Sequence, residues 1–199
     1  MFSISLAART SSDGDADLAL VRAARADPHA FAAIYDRHAD TVYRYLYRQT
    51  NSHEAAEDLT SVTFMRALAS LSLFREKGTF LPWLMRIAHN ALIDQLRRGR
   101  RTTTLEAGRL EQLADRAAGT TAWQVPFGGV EQRESFLAHT ARLPRDLRHA
   151  LALRFVADLS TEDTAAVLGR SVGATKMLVA RAVATLRTRA TGQGEGIER

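Results

Sequence analysis

The chain has 199 residues, 46% of them hydrophobic and 25% charged, with a formal net charge of +5. That length holds one medium domain or two small ones around a real core. There is no cysteine, which excludes disulfides and thiolate metal sites, and no apolar run approaches the roughly 20 residues needed to cross a bilayer. Nearly all the positive charge is arginine, the only lysines being Lys77 and Lys176. Arginine favours bidentate contacts to phosphate or carboxylate, although genome composition produces the same bias. Met1 to Ala8 is too short and too weakly charged for a secretory signal, so a cytoplasmic protein without membrane insertion is expected.

In chain order, residues 1–16 are small and polar, centred on Thr10-Ser11-Ser12-Asp13-Gly14-Asp15, and read as a disordered tail. A short helix is predicted over Asp17 to Arg25. Asp27-Pro28 then reads as an N-cap with proline at the first helical position. The helix it opens runs to about Gln49, with Phe31, Ile34, Tyr35, His38, Val42 and Tyr45 as its apolar stripe. His38 on that stripe reads as a core histidine with its polar atoms satisfied. Asn51-Ser52 starts another helix, with Glu54 placed to complete a capping box to Asn51. It ends near Leu71, and its Glu57 and Asp58 project together with Thr60, Ser61 and Arg66 nearby.

Ser72 to Thr79 reads as a loop containing Arg75, Lys77 and Gly78, with Thr79 as a cap and Pro82 in the first turn of the helix that follows. That helix, Phe80 to Arg101, carries Phe80, Trp83, Leu84, Ile87, Ala88, Ala91 and Leu92 along one face. Arg86, Asn90, Asp94 and Arg97 line the opposite face. Its end is a cluster of Arg97, Arg98, Arg100 and Arg101. Cations are favoured at a helix C-terminus, but four arginines in five positions point further, to a phosphate-binding end. No strand-like alternation occurs in this half.

From Thr102 to Gly129 the periodicity weakens, with a short helix possible around Leu105 to Ala117 in a mildly acidic stretch. Residues 102–134 read as a flexible linker. Helical rhythm returns from about Val130, where Phe136 and Leu137 lead to Leu143-Pro144 and a helix from Arg145 to Val156 carrying Leu147, Leu151 and Phe155. A short helix begins at Leu159-Ser160, capped by Ser160 and Asp163, and stops at Gly169. Ser171 caps the last helix, which runs to about Arg189, and residues 191–199 form a Gly-rich tail. Ala165 four residues before Gly169, with a helix following at once, is a helix-turn-helix arrangement. The last helix turns Val172, Thr175, Val179, Ala182, Val183 and Leu186 inward, and Ala174, Met177, Arg181 and Ala184 outward with Leu178 at the flank. Its outer face is therefore largely apolar. Met177 and Leu178 suit thymine-methyl contacts, a hydrophobic partner, or packing on another helix.

Together these residues resemble the extracytoplasmic-function sigma factors, two-domain bacterial initiation factors of the sigma-70 family. FAAIYDRHADTVYRYLYR is similar to the family's first helix and AEDLTSVTFMRAL to the helix that docks on the polymerase clamp. GTFLPWLMRIAHNALIDQLRR resembles the segment that melts and reads the minus-ten element. LPRDLRHALALRFVADLSTEDTAAVLGRSVGATK resembles the domain that reads the minus-thirty-five element.

The resemblance implies an all-α fold of two small helical domains, 17–101 and 135–190, joined by the linker. It implies core RNA polymerase, promoter DNA and an anti-sigma factor as partners, and no cofactor. Glu57, Asp58, Ser61 and Phe64 fall at the polymerase contact. Arg75, Lys77, Asn90, Arg97, Arg98, Arg100 and Arg101 fall at the minus-ten element, and Arg170, Ser171, Lys176, Met177, Leu178 and Arg181 at the upstream element. The sequence departs from the family's usual residues at Ser61 and Val62, at Met177 and Leu178, and at Thr164 and Thr175, where aliphatic residues are usual.

Two other functions compete. A helix-turn-helix regulator that does not recruit polymerase leaves the Glu57-Asp58 face unexplained. An enzyme is disfavoured: His53-Glu54-Ala55-Ala56-Glu57 lacks the second histidine of a zinc helix, and there is no phosphate loop or nucleophile motif.

Overall fold

The computed structural model describes residues 9–76, 79–103, 140 and 142–192, with side chains described over 14–76, 79–98, 140 and 142–188. Seven α-helices and no strands occur among the described residues. They are α1 (Arg9–Ala26), α2 (Phe31–Thr50), α3 (His53–Ala69), α4 (Phe80–Thr103), α5 (Arg145–Phe155), α6 (Thr161–Leu168) and α7 (Val172–Gly192). Short 3-10 turns, Pro28–Ala30 and Leu71–Leu73, precede α2 and follow α3. The linker from residue 104 on, the expected helix at 105–117 and the tail beyond residue 192 lie outside the described residues.

α1 begins at Arg9, so residues 9–16 are helical rather than part of a tail. Its anchor explains the extension. Val21 and Ala24 are buried, and the buried Asp17 carboxylate accepts from His38 Nε2 at 3.0 Å and pairs with Arg37 Nε at 2.8 Å. Once that turn is fixed, preceding residues add at little cost even with weak propensity. His38 is thus a satisfied core histidine.

The α2–α3 corner differs by one residue from expectation. Asn51 takes the left-handed conformation (φ 52°) that ends α2, and Ser52 caps α3 by accepting from Ala55 N at 3.3 Å. Asn is among the few side chains that tolerate this conformation. Thr60, near the projecting Glu57 and Asp58 in sequence, is buried with its hydroxyl donating to Ala56 O. Helix α4 continues two residues past Arg101, and α7 reaches Gly192, past the expected tail boundary.

In α4, Phe80, Leu84, Ala88, Ala91 and Leu92 are buried as the stripe requires, and Met85 joins them. Phe80 is surrounded by the rings of Phe74, Trp83 and His38, with centroids 5.4–5.5 Å away. This cluster joins α2, the loop after α3, and the start of α4. The exception on α2 is Tyr35, which is 44% exposed and packs over Phe64.

The C-terminal helices are capped as predicted, although Phe155, expected with Leu147 and Leu151 on the apolar side of α5, is 60% exposed. Ser160 Oγ accepts from Asp163 N at 2.9 Å, Gly169 ends α6 at φ 63°, and Ser171 Oγ accepts from Ala174 N at 3.2 Å. Thr164 and Thr175 are fully buried. Each hydroxyl donates to the carbonyl four residues back, Ser160 at 2.7 Å and Ser171 at 3.0 Å.

The two groups of helices pack together. α6 lies on α4, and α5 contacts α2. Leu153, Leu159 and Val167 share the apolar core of the N-terminal helices, while Leu143, Leu151 and Ala182 form a smaller cluster between α5 and α7. At this seam the rings of His89 and His149 meet edge to face at 5.0 Å. Tyr45 Oη lies 2.8 Å from His89 Nδ1. Arg145, Asp146 and Arg170 line the adjoining polar cleft, and Arg148 adds positive charge near His149.

Burial lowers the His89 pKa, partly opposed by Asp146. Burial, then His89, Arg148 and Arg145, push His149 down to about 3. Both rings are therefore neutral at pH 7. Separated helices return the imidazoles toward about 6.5, so the open state binds more protons below that value. The packed arrangement keeps its full stability above about pH 6.5 and loses it as pH falls toward the lowered values. Small-angle scattering is expected to show a larger radius of gyration at pH 5 than at pH 7. The variant His149→Gln should flatten this dependence; an unchanged profile would show that the pair does not govern packing.

Candidate functional site

Three exposed surfaces collect the residues singled out from sequence. The first is the outer face of α3. Turning by about 100° per residue places Glu54, Glu57, Asp58, Ser61, Met65 and Leu68 within an arc of roughly 100°, and all six are exposed. The face is acidic toward its N-terminus and apolar toward its C-terminus, where Met65 is 63% and Leu68 43% exposed. Sequence reasoning missed Met65 and Leu68. The signal was present, since they continue the Glu57–Ser61 spacing, but apolar residues on a helix are ordinarily assigned to the core. Phe64 does not belong to this face. It is 4% exposed and packs on Phe31 and Tyr35, with ring centroids at 6.3 and 4.7 Å.

The second surface follows α4. Arg75 is exposed in the loop before it, and Asn90, Arg97 and Arg98 are exposed along it. Arg100 and Arg101 continue the same helix, so the cluster is carried on regular backbone rather than on a loop. Lys77 and Gly78 lie outside the described residues. Arg66 of α3 bonds Asp94 of α4 at 3.0 Å, joining the first two surfaces. The pair is about 40% exposed on both sides, so its contribution is small.

The third surface is the outer side of α7. Lys176, Met177 and Arg181 are exposed, Met177 by 63%, and Leu178 is half-buried. Met177 is therefore not packed on another helix. Arg170 is engaged within the fold, its Nη2 lying 2.5 Å from Asp146 Oδ2, and Ser171 is occupied as the cap of α7. Among the described residues no group of three or more metal-ligating side chains occurs, and no helix is long and apolar enough to cross a membrane.

Residues 34–102, which carry the first two surfaces, match the family description Sigma-70 region 2. Residues 132–186, which carry the third, match Sigma-70 region 4. The ECF RNA polymerase sigma factor SigM of Bacillus subtilis is 30% identical over 149 residues, covering 75% of this chain and 88% of that protein. The ECF sigma factor SigC of Mycobacterium tuberculosis is 32% identical over 175 residues, 87% of this chain and 90% of that protein. The chain belongs to the ECF sigma factors of the sigma-70 family.

A longer ECF relative, BldN of Streptomyces coelicolor, is 35% identical over 172 residues. That match covers 83% of this chain but only 62% of BldN. The fold is also that of solved sigma factors. CnrH, in complex with the cytosolic domain of CnrY, aligns with TM-score 0.63 at 24% identity, covering 87% of this chain and 95% of that one. RpoE of Bartonella quintana, in complex with the anti-sigma factor NepR, aligns with TM-score 0.67 at 24% identity, covering 85% of this chain and 98% of that one. In this ECF sigma factor α1 precedes the region 2 match, while its hydrogen-bonding partners His38, Leu71 and Glu76 lie within that match.

The burial of Phe64 separates packing from surface roles on α3. Phe64→Ala should cost about 3–5 kcal/mol in denaturant unfolding. Met65→Ala, one residue along, should stay within about 0.5 kcal/mol. Equal costs would mean that Phe64 is not the core residue of the pair.

Proposed function

We propose that this sigma factor binds core RNA polymerase through the outer face of α3, opens and holds the minus-ten element with α4 and the loop before it, and reads the upstream element with α7. The observation that carries this reading is the placement of an exposed acidic-to-apolar face and an arginine-lined helix on one rigid unit, followed by a helix-turn-helix in the same chain. Its action is recruitment and strand opening rather than catalysis of a reaction.

At the polymerase, Glu57, Asp58 and Ser61 supply the charged and polar part of the contact, and Met65 and Leu68 the apolar part. Phe64 supports this face from beneath. Such a division suits an interface: charge steers the encounter, and desolvated apolar area holds it. At the promoter, extruding a base from the duplex costs a few kcal/mol. Phosphate contacts from Arg97, Arg98, Arg100 and Arg101, with Asn90 and the Arg75–Lys77 loop at the bases, offset that cost. Buried packing along one side of α4 lets the other side act without moving.

Upstream, Lys176 and Arg181 take phosphates. Met177 and Leu178 favour thymine methyl groups over hydrogen-bonding base edges. Arg170 serves the fold through Asp146, and Ser171 positions α7 by capping it. An anti-sigma factor is the regulatory partner this reading calls for. A regulator that binds DNA without polymerase leaves the α3 face without a role, so the sigma reading is preferred.

Run-off transcription with purified core polymerase and a genomic promoter library tests the proposal. Specific new start sites are expected with the full chain, and their absence alongside an active control factor would overturn it. Reversing charge with Glu57→Arg and Asp58→Arg should weaken core binding at least tenfold without changing helical content. Leu178→Arg should alter the preferred upstream sequence while leaving core binding unchanged. An unaltered footprint would remove Leu178 from the reading surface.

A further inference from the structure

The loop between α3 and α4 is held from outside by α1. Arg22 and Arg25, three apart, lie on one face near the end of that helix. Arg25 donates from Nε and Nη2 to the Leu71 carbonyl, at 3.2 and 3.1 Å. Its Nη2 also reaches the Phe74 carbonyl, and its Nη1 lies 3.0 Å from Glu76 Oε1. Arg22 donates Nε and Nη2 to the other carboxylate oxygen of Glu76, at 3.0 and 2.7 Å. Two guanidiniums therefore fix three points across Leu71 to Glu76.

From below, the Phe74 ring packs on Phe80 and Trp83, with centroids at 5.5 and 5.3 Å. Arg75 is left between two anchored neighbours with its own side chain exposed. Hydrogen bonding to Arg22 holds the Glu76 carboxyl below the usual carboxylate range, so the tie persists through neutral and mildly acidic pH. Charge matters as well as shape. An unneutralised carboxylate beside Arg75 would repel DNA phosphate, whereas two arginines around one glutamate leave the loop base net positive.

We propose that Arg22 and Arg25 are positioning residues for promoter reading: they hold Leu71 to Glu76, the segment that carries Arg75 toward the minus-ten strand, in place and mask Glu76 from the DNA. This rests on the assignment of the Arg75–Thr79 loop to the minus-ten element. The fork geometry is needed because an arginine can satisfy two carbonyls and a carboxylate at once, which an ammonium cannot do in the same plane. Pre-ordering matters because a mobile loop loses freedom on each capture, and that loss falls on selectivity as well as affinity.

The test is open-complex formation by the full chain with core polymerase on promoter fragments randomised only at the minus-ten element. The readout is the ratio of preferred to disfavoured sequences among the opened templates. The variant Arg22→Ala/Arg25→Ala should lower that ratio at least fivefold while core binding stays within twofold of wild type. Arg25→Lys should recover only part of it, because charge returns without the fork. If activity instead falls equally on all templates with the ratio intact, the arginines merely stabilise the fold and the proposal is overturned. Arg75→Ala/Lys77→Ala is measured in parallel. If that variant also leaves the ratio unchanged, the loop does not read this element, and the loop assignment falls together with the clamp. If it lowers the ratio while the α1 variant does not, the clamp alone is refuted.

Discussion

The aromatic cluster around Phe80 fixes how α4 and the loop before it sit on the N-terminal helices. Phe80 is 1% exposed and begins α4, so its three ring neighbours decide where that helix starts and how it is rotated. Phe74 brings the preceding loop to the same point. His38 brings α2, and through its bond to Asp17 it brings α1. Rings of this size bury large areas and favour tilted or edge-on contacts, so four chain segments converge on one well-specified junction. Asn90 and the arginines farther along α4 inherit their direction from it.

Most of the helices were legible because their boundaries are written in short-range chemistry. Asp27-Pro28, Ser160 with Asp163, Gly169 and Ser171 all act where their types predicted. Errors arose where tertiary contacts outweighed local preference. The polar run before Asp17 gives no helical signal, yet Asp17, Val21 and Ala24 dock α1 and the helix continues through that run. Phe64 and Met65 are neighbours in a helix whose two sides differ in apolar character far less than those of α2. Only the Glu57–Ser61 spacing sets Met65 on the outer side, and the structure buries the first and exposes the second. The Arg25 contacts span 46 and more residues. No spacing rule connects residues so far apart.

Helix α4 is engaged on two fronts. One side belongs to the core of α1 to α3, and another receives α6 with the His89–His149 contact beside it. The sequence permitted either a packed or a separated arrangement of the two groups, because the intervening segment carries no pattern that decides it. The apolar residues Leu153, Leu159 and Val167 decide it here by joining the larger core. A polar cleft at the edge of this contact keeps it unlike a domain interior. Mixed surfaces of that kind are common where domains move apart.

The two fully buried threonines of α6 and α7 have a consequence for how this sequence can diverge. Each presents its methyl to the core while its hydroxyl shares a carbonyl that already accepts the helical N–H, Ser160 O from Thr164 N at 2.9 Å and Ser171 O from Thr175 N at 3.0 Å. Replacing the hydroxyl with a second methyl would leave no stranded polar atom. The usual penalty for exchanging threonine and valine is thereby relaxed at both positions. Exchange between the two residues is near-neutral for the fold at both positions, so a polar residue in the heart of a helix-turn-helix need not record any change in what the motif does.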